Sequence, residues 1–208
     1  MEIRNAYNQW ASIYDSNINK TRDIEALALR EMLKNVSFKS CLEMGCGTGK
    51  NTRWLLEWSE RLVAVDFSPE MLAKAKEKIK SSKVSFIEAD ITMSWNFISK
   101  TFDLITFSLV LEHVQDLNHI FKEAARASHS GSYLYLGELH PFKQYAGTKA
   151  RFENQEETTV LTCYTHHISD FISAAAANGF ELIWLNEYFD DDDRASIPRI
   201  LSLLFKKR

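Results

Sequence analysis

The chain is poor in glycine, proline and cysteine, with seven, three and three in 208 residues. Three cysteines are too few for a disulfide framework, which points to a reducing compartment. Two of them, Cys41 and Cys46, fall on an apolar run and the turn after it. That placement is unlike a zinc knuckle, so no metal site is expected. No apolar run is long enough to cross a bilayer, and the charged, polar first fifteen residues lack the form of a signal peptide. Neither sign of charge is in excess. The 25 basic and 28 acidic residues give a net charge of −3, with the basic ones dispersed, so nucleic acid is not an expected partner. The expectation is a soluble cytoplasmic protein without membrane contact. At 45% hydrophobic residues it can bury one substantial core, read as a single domain over residues 1–208.

The scarce glycine is concentrated. Gly45, Gly47 and Gly49 fall within Leu42-Glu43-Met44-Gly45-Cys46-Gly47-Thr48-Gly49, directly after a short apolar run. Glycine serves where the backbone turns sharply or something approaches it closely. Apolar strand, glycine turn and a helix over 50–58 are how an open α/β sheet builds a nucleotide pocket.

Alternation continues downstream. Strands are predicted at 62–65, 84–89, 102–107 and 132–136, with helices at 69–80 and 116–127. Ser68-Pro69-Glu70 carries three helix-start signals: a serine cap, proline at the first position and an early acid. This order implies parallel βαβ units with right-handed crossovers. Helices over 6–14 and 23–33 precede the first strand. Residues 141–157 are polar and poor in strand or helix signals. A helix over 168–178 stops at Gly179, and strands at 181–188 and 199–205 form an antiparallel pair at one sheet edge. The acidic run from Asp190 to Asp193 between them reads as a solvated turn.

Ligands of an open parallel sheet lie outside the strand carboxyl ends. Those ends carry Glu43, Asp66-Phe67, Asp90-Ile91, Ser108-Leu109 and the stretch up to His140. Asp66 follows the glycine turn at a distance suited to a ribose diol. Phe67, Met71 and Ile91 can sandwich an adenine whose amine Asp90 accepts. Each acid also has a plain reading, since strand-end carboxylates cap following helices. Glu43 would repel a pyrophosphate and suits a cofactor bearing an ammonium or sulfonium.

At this point the chain resembles a family. The glycine segment is similar to motif I of the class I S-adenosylmethionine-dependent methyltransferases. Val65-Asp66-Phe67-Ser68-Pro69-Glu70-Met71-Leu72, Phe86-Ile87-Glu88-Ala89-Asp90-Ile91, Phe102-Asp103-Leu104-Ile105 and Leu109-Val110-Leu111-Glu112-His113-Val114 resemble its later segments in the right order. The resemblance implies an α/β, Rossmann-like, seven-stranded, mostly parallel sheet with helices on both faces and the last strand antiparallel. It implies an N-terminal helical lid (1–37), a cofactor core (38–139), a substrate-side segment (140–167) and a C-terminal helix and strand pair (168–208). The cofactor is then S-adenosylmethionine, with S-adenosylhomocysteine as product. Gly45, Cys46, Gly47 and Gly49 would offer close backbone approach, and Glu43 would sit near the cofactor's ammonium. Asp66 would hold the ribose, Phe67 and Met71 flank adenine, and Asp90 with Ile91 read its edge. Ser108, Leu109 and His113 would border the methionine end. Tyr7-x-x-Trp10-Ala11-x-x-Tyr14-Asp15 resembles the aromatic lid of the small-molecule branch, with Tyr14 closing over the cofactor. The same spacing equally makes a packing stripe.

Such transfer is an in-line displacement, needing a general base only where the acceptor arrives protonated. His140 is the first expected base and His166 the second. Residues 141–157 are expected to set selectivity, with Tyr145, Lys149 and Arg151 facing a small, anionic acceptor. Two readings compete with an O- or N-methyltransferase of small molecules. One is a non-catalytic module binding S-adenosylmethionine or its product; the other is a nicotinamide oxidoreductase, against which Glu43 and Lys50 argue. Oligomeric state is not legible in the sequence.

Overall fold

A computed structural model describes residues 3–148, 151–153 and 158–208. Five strands, β1 (Ser40–Met44), β2 (Arg61–Asp66), β3 (Val84–Glu88), β4 (Phe102–Ser108) and β5 (Ser128–Leu139), pair in parallel. A short hairpin, β6 (Arg151–Glu153) with β7 (Thr158–Val160), stands apart from the main sheet. The last two strands, β8 (Phe180–Tyr188) and β9 (Ile200–Lys207), complete a seven-stranded sheet of order β3-β2-β1-β4-β5-β9-β8. Only β9 runs against the others: it pairs antiparallel with both β5 and β8.

Strand alternation explains the two cores. Leu42, Met44, Ile105, Phe107, Leu134 and Leu136 face one side. There they meet helices α5 (Leu117–Arg126) and α7 (Ile168–Ala177) through Ile120, Phe121 and Phe171. Cys41, Leu62, Ala64, Leu104 and Tyr135 face the other. That side is closed by helices α2 (Lys20–Leu33) and α3 (Lys50–Trp58) through Leu29, Leu33 and Leu55. A parallel sheet must be covered on both faces, and it is. Helix α4 (Pro69–Lys78) opens as its sequence requires, with Ser68 Oγ accepting from Met71 N at 3.2 Å.

The structure departs from the sequence reading in several places. Helix α1 covers Ile3–Trp10, and residues 11–16 turn rather than continue it. The fifth strand is longer than expected because Gly131, at φ 91°, lies inside it at a register shift against β4. Residues 141–157 hold helix α6 (Pro141–Tyr145) and β6, both too short for periodicity to betray. Asp190 is no solvated turn residue: it holds the Arg199 guanidinium in a two-pronged ion pair and also meets Lys143. Among the described residues no helix is long and apolar enough to cross a membrane, and no His/Cys/Asp/Glu cluster forms a metal site.

Candidate active site

The turn after β1 is shaped by left-handed backbone. Gly45 sits at φ 71°, where a Cβ would fall 2.1 Å from Val110 Cγ2, so β1 and the segment after β4 approach at a distance only glycine allows. Gly47, at φ 53°, has no heavy atom within 4 Å of where its Cβ would stand. Its bare backbone faces a cavity of about 650 Å³. Gly45 N and Cys46 N donate to Val65 O at 2.8 and 2.9 Å, tying the turn to the end of β2.

Asp66 ends that strand on the cavity wall. Its Oδ2 accepts from Gly47 N at 2.8 Å and its Oδ1 from Ser68 N at 2.9 Å. Burial pushes its carboxyl upward, while these backbone donors pull it back. Phe67, Met71 and Ile91 add an apolar wall, with Asp90 beside them. Asp90 Oδ1 accepts from both Thr92 N and Thr92 Oγ1, so its turn is self-capped. Across the cavity lie Ser108, Leu109, His113 and Tyr14. Leu109 holds φ 56°, a strained value for a branched side chain, and its N–H donates to Gly137 O at 2.8 Å.

Other expected site residues are not brought to this wall. Glu43 is buried on the α3 face of β1 and accepts from Thr52 Oγ1 at 2.6 Å. Burial pushes it up to about 8. Below that value it is largely uncharged, which weakens the expectation of a cation-attracting carboxylate. Cys46 is buried in the core on the α3 side, and Gly49 packs against Ile79 and Ala75 as the cap of α3. His140 is wholly buried. Its Nδ1 accepts from Phe142 N at 3.2 Å, capping α6, so Nε2 carries the proton and donates to Glu187 at 3.0 Å. Neither nitrogen is left for a substrate. His166 Nε2 donates to Val114 O at 2.7 Å, and the ring packs edge-on to Phe171. Tyr145 is exposed and bonds His167. Lys149 and the Arg151 side chain lie outside the described residues.

Some of the wall was not foreseen. The Tyr7 hydroxyl, within the noted lid motif, donates to His113 Nε2 at 2.9 Å, because His113 Nδ1 donates to Thr162 O at 3.1 Å. Arg4 of α1 pairs with Glu88 at the end of β3. A second cavity of about 580 Å³ adjoins the first and shares Tyr7, Tyr14 and Leu109 with it. Lys20, Arg22, Glu112 and Arg199 also line it. Arg22 lies 4.0 Å over the Tyr14 ring and donates to Tyr14 O. Its position was not legible because α2 and the lid meet only in three dimensions. Beneath the strand ends, burial raises Glu25 to about 7 and Glu138 to about 8.

The bare Gly47 backbone, the walled Asp66 carboxyl and the apolar slot beside them fit an adenosyl cofactor. Residues 42–136 match the methyltransferase domain family. An uncharacterized methyltransferase of Emericella nidulans is 26% identical over 89% of this chain and 78% of its own. Malonyl-[acyl-carrier protein] O-methyltransferase 2 of Coxiella burnetii is 26% identical over 97% and 78%. Among solved structures, the DhpI complex with S-adenosylhomocysteine superposes with a TM-score of 0.76, at 21% identity over 98% of this chain and 94% of that one. Residues 42–136 thus carry a segment similar to the methyltransferase domain family, and the sheet order gives the chain the Rossmann-like fold of class I S-adenosylmethionine-dependent methyltransferases.

Proposed function

We propose that this methyltransferase modifies an oxygen or nitrogen atom of a small molecule, and that it does so as a single domain in the cytoplasm. The observation that carries the reading is the pairing of two cavities that share Tyr7, Tyr14 and Leu109. One has the lining of a nucleoside site; the other adjoins it from the lid side. The Coxiella relative's name describes an O-methyl transfer, which supports oxygen. The low cysteine count supports the cytoplasm.

The cofactor, when bound, supplies a methyl group activated on a sulfonium. The chain's own residues hold and align. Asp66 takes the ribose hydroxyls, Phe67 and Met71 flank adenine, and Asp90 with Ile91 reads its edge. The backbone of Gly45, Gly47, Ser108 and Leu109 supports the methionine end, and Tyr14 with Tyr7 closes the site from above. Alignment of this kind lowers a displacement barrier by roughly 7–11 kcal/mol. Aromatic faces of the lid add about 0.5–2 kcal/mol of attraction for a cation.

The test is incubation with methyl-labelled S-adenosylmethionine and a metabolite extract, followed by chromatography. Label on a small molecule supports the reading. Donor binding without label on any component of the extract sinks it.

A further inference from the structure

We propose that Glu112 takes the acceptor's proton, and that the second cavity admits an acceptor whose nucleophile arrives protonated, as a hydroxyl or an ammonium. This rests on the methyl-transfer reading above.

The backbone around Glu112 is pinned. Residues Leu111–His113 form a single 3-10 turn after β4. Glu138 Oε1 accepts from Val110 N at 3.2 Å and Leu111 N at 3.1 Å, and Tyr164 N donates to Glu112 O at 2.7 Å. The turn splits two neighbouring side chains between two chambers. His113 lies on the wall of the first cavity and Glu112 on the wall of the second. A base at that border stands where donor and acceptor compartments meet.

Glu112 is 8% exposed, and its Oε2 is buried with no hydrogen-bond partner. Cys163 and Gln144 lie beside the same carboxyl and temper the effect of its burial. A buried carboxylate oxygen without a donor is rare in a finished structure and calls for a partner. The only other buried carboxylate oxygen of this kind among the described residues, Glu138 Oε2, lines neither cavity. Competing bases are spent. Both ring nitrogens of His140 and of His113 are in use, and His166 lines neither chamber. Of the cations around the second cavity, Arg199 is matched by Asp190 and Lys20 by Asp191, while Arg22 donates to the carbonyls of Tyr14 and Asn17 rather than to Glu112.

Burial pushes the Glu112 carboxyl above the usual range. That moves a carboxylate toward the strength a base needs near neutrality, and a nearby cation returns it to the charged form. The step balances. Glu112 Oε2 receives the proton as the acceptor atom's electron pair forms its bond to the methyl carbon. The carbon–sulfur pair returns to sulfur, leaving a neutral thioether, a methylated acceptor and a protonated glutamic acid.

Sinefungin tests this without knowing the acceptor, because it carries an ammonium where the donor carries its methyl-sulfonium. Calorimetry would compare sinefungin and S-adenosylhomocysteine on wild type, Glu112→Gln and Glu112→Asp, with thermal melts checking the fold. Loss of the charge-assisted contact in Glu112→Gln should weaken sinefungin by about tenfold or more, with S-adenosylhomocysteine changed less than about twofold. Glu112→Asp should fall between, and carries the test alone should the Gln variant not fold. Equal weakening of both ligands, or of neither, overturns the assignment. Wild type binding neither ligand would instead remove the methyl-transfer reading on which it rests.

Discussion

Gly45 and Gly47 share a left-handed backbone but differ in surroundings, so alanine should act differently at each. Any side chain there costs about 1–2 kcal/mol of backbone strain. At Gly45 the added methyl also strikes Val110, so Gly45→Ala should lower the melting temperature further than Gly47→Ala. At Gly47 the methyl enters the cavity, and the larger effect should appear in calorimetric affinity for S-adenosylhomocysteine. Asp66→Ala should weaken that ligand by an order of magnitude or more through a lost charge-assisted pair. Unchanged affinity would move the nucleoside elsewhere. His140 shows where residue type misleads. A histidine after the fifth strand reads as a base, yet both nitrogens serve the α6 cap and Glu187. His140→Asn should therefore lower thermal stability and leave donor affinity intact.

At the scale of elements, α1 is held by few polar contacts. Tyr7 reaches His113, Arg4 reaches Glu88, and Ser68 Oγ donates to Asn8 at 2.6 Å. Trp10 and Ala11 pack on Met71 of α4. Such a small set makes α1 a low-stability unit relative to the sheet. Tyr7→Phe removes one hydrogen bond, worth about 1 kcal/mol. Hydrogen exchange of α1 amides should accelerate about fivefold, with the β1, β4 and β5 amides unchanged. Equal acceleration throughout would mean that α1 is cooperative with the core. The elements foreseen from sequence are those long enough to show a period or carrying a cap, such as α4 behind Ser68-Pro69. Helix α6 and β6 were hidden because five or three residues complete no pattern.

At the scale of the molecule, three buried carboxyls lie below the strand ends. Burial holds Glu25 near 7, and Glu43 and Glu138 near 8, against 4.5 for a free side chain. Below about pH 4.5 folded and unfolded chains are protonated alike at these groups. Above it the unfolded chain releases protons that the folded chain retains, so stability falls with rising pH and levels off above about 8. Asp103, held near 2 mainly by backbone donors that outweigh its burial, and Asp190, held near 2 by Arg199, act in the opposite sense. Their stabilisation is present above 3.8 and lost only below it, outside that window. Melting temperature should decline from about pH 4.5 to about pH 8, and Glu43→Gln should flatten part of the decline. A pH-independent melt over that range would contradict the burial of these charges.

The sequence by itself determined the parallel core, because strand and helix periods, caps and the glycine turn are local signals. It also determined which positions end the strands, and Asp66, Phe67, Met71 and Ile91 reach the cavity wall because topology delivers strand ends to one edge. Only the tertiary structure decided which strand-end side chain looks inward to the core and which looks outward to the cavity. Glu43 and His140 turned inward to hydrogen-bond partners nine and forty-seven residues away. Arg22 and Glu112 came to line a chamber built from the lid, α2 and the turn after β4. Contacts of that range depend on packing, which no local pattern encodes.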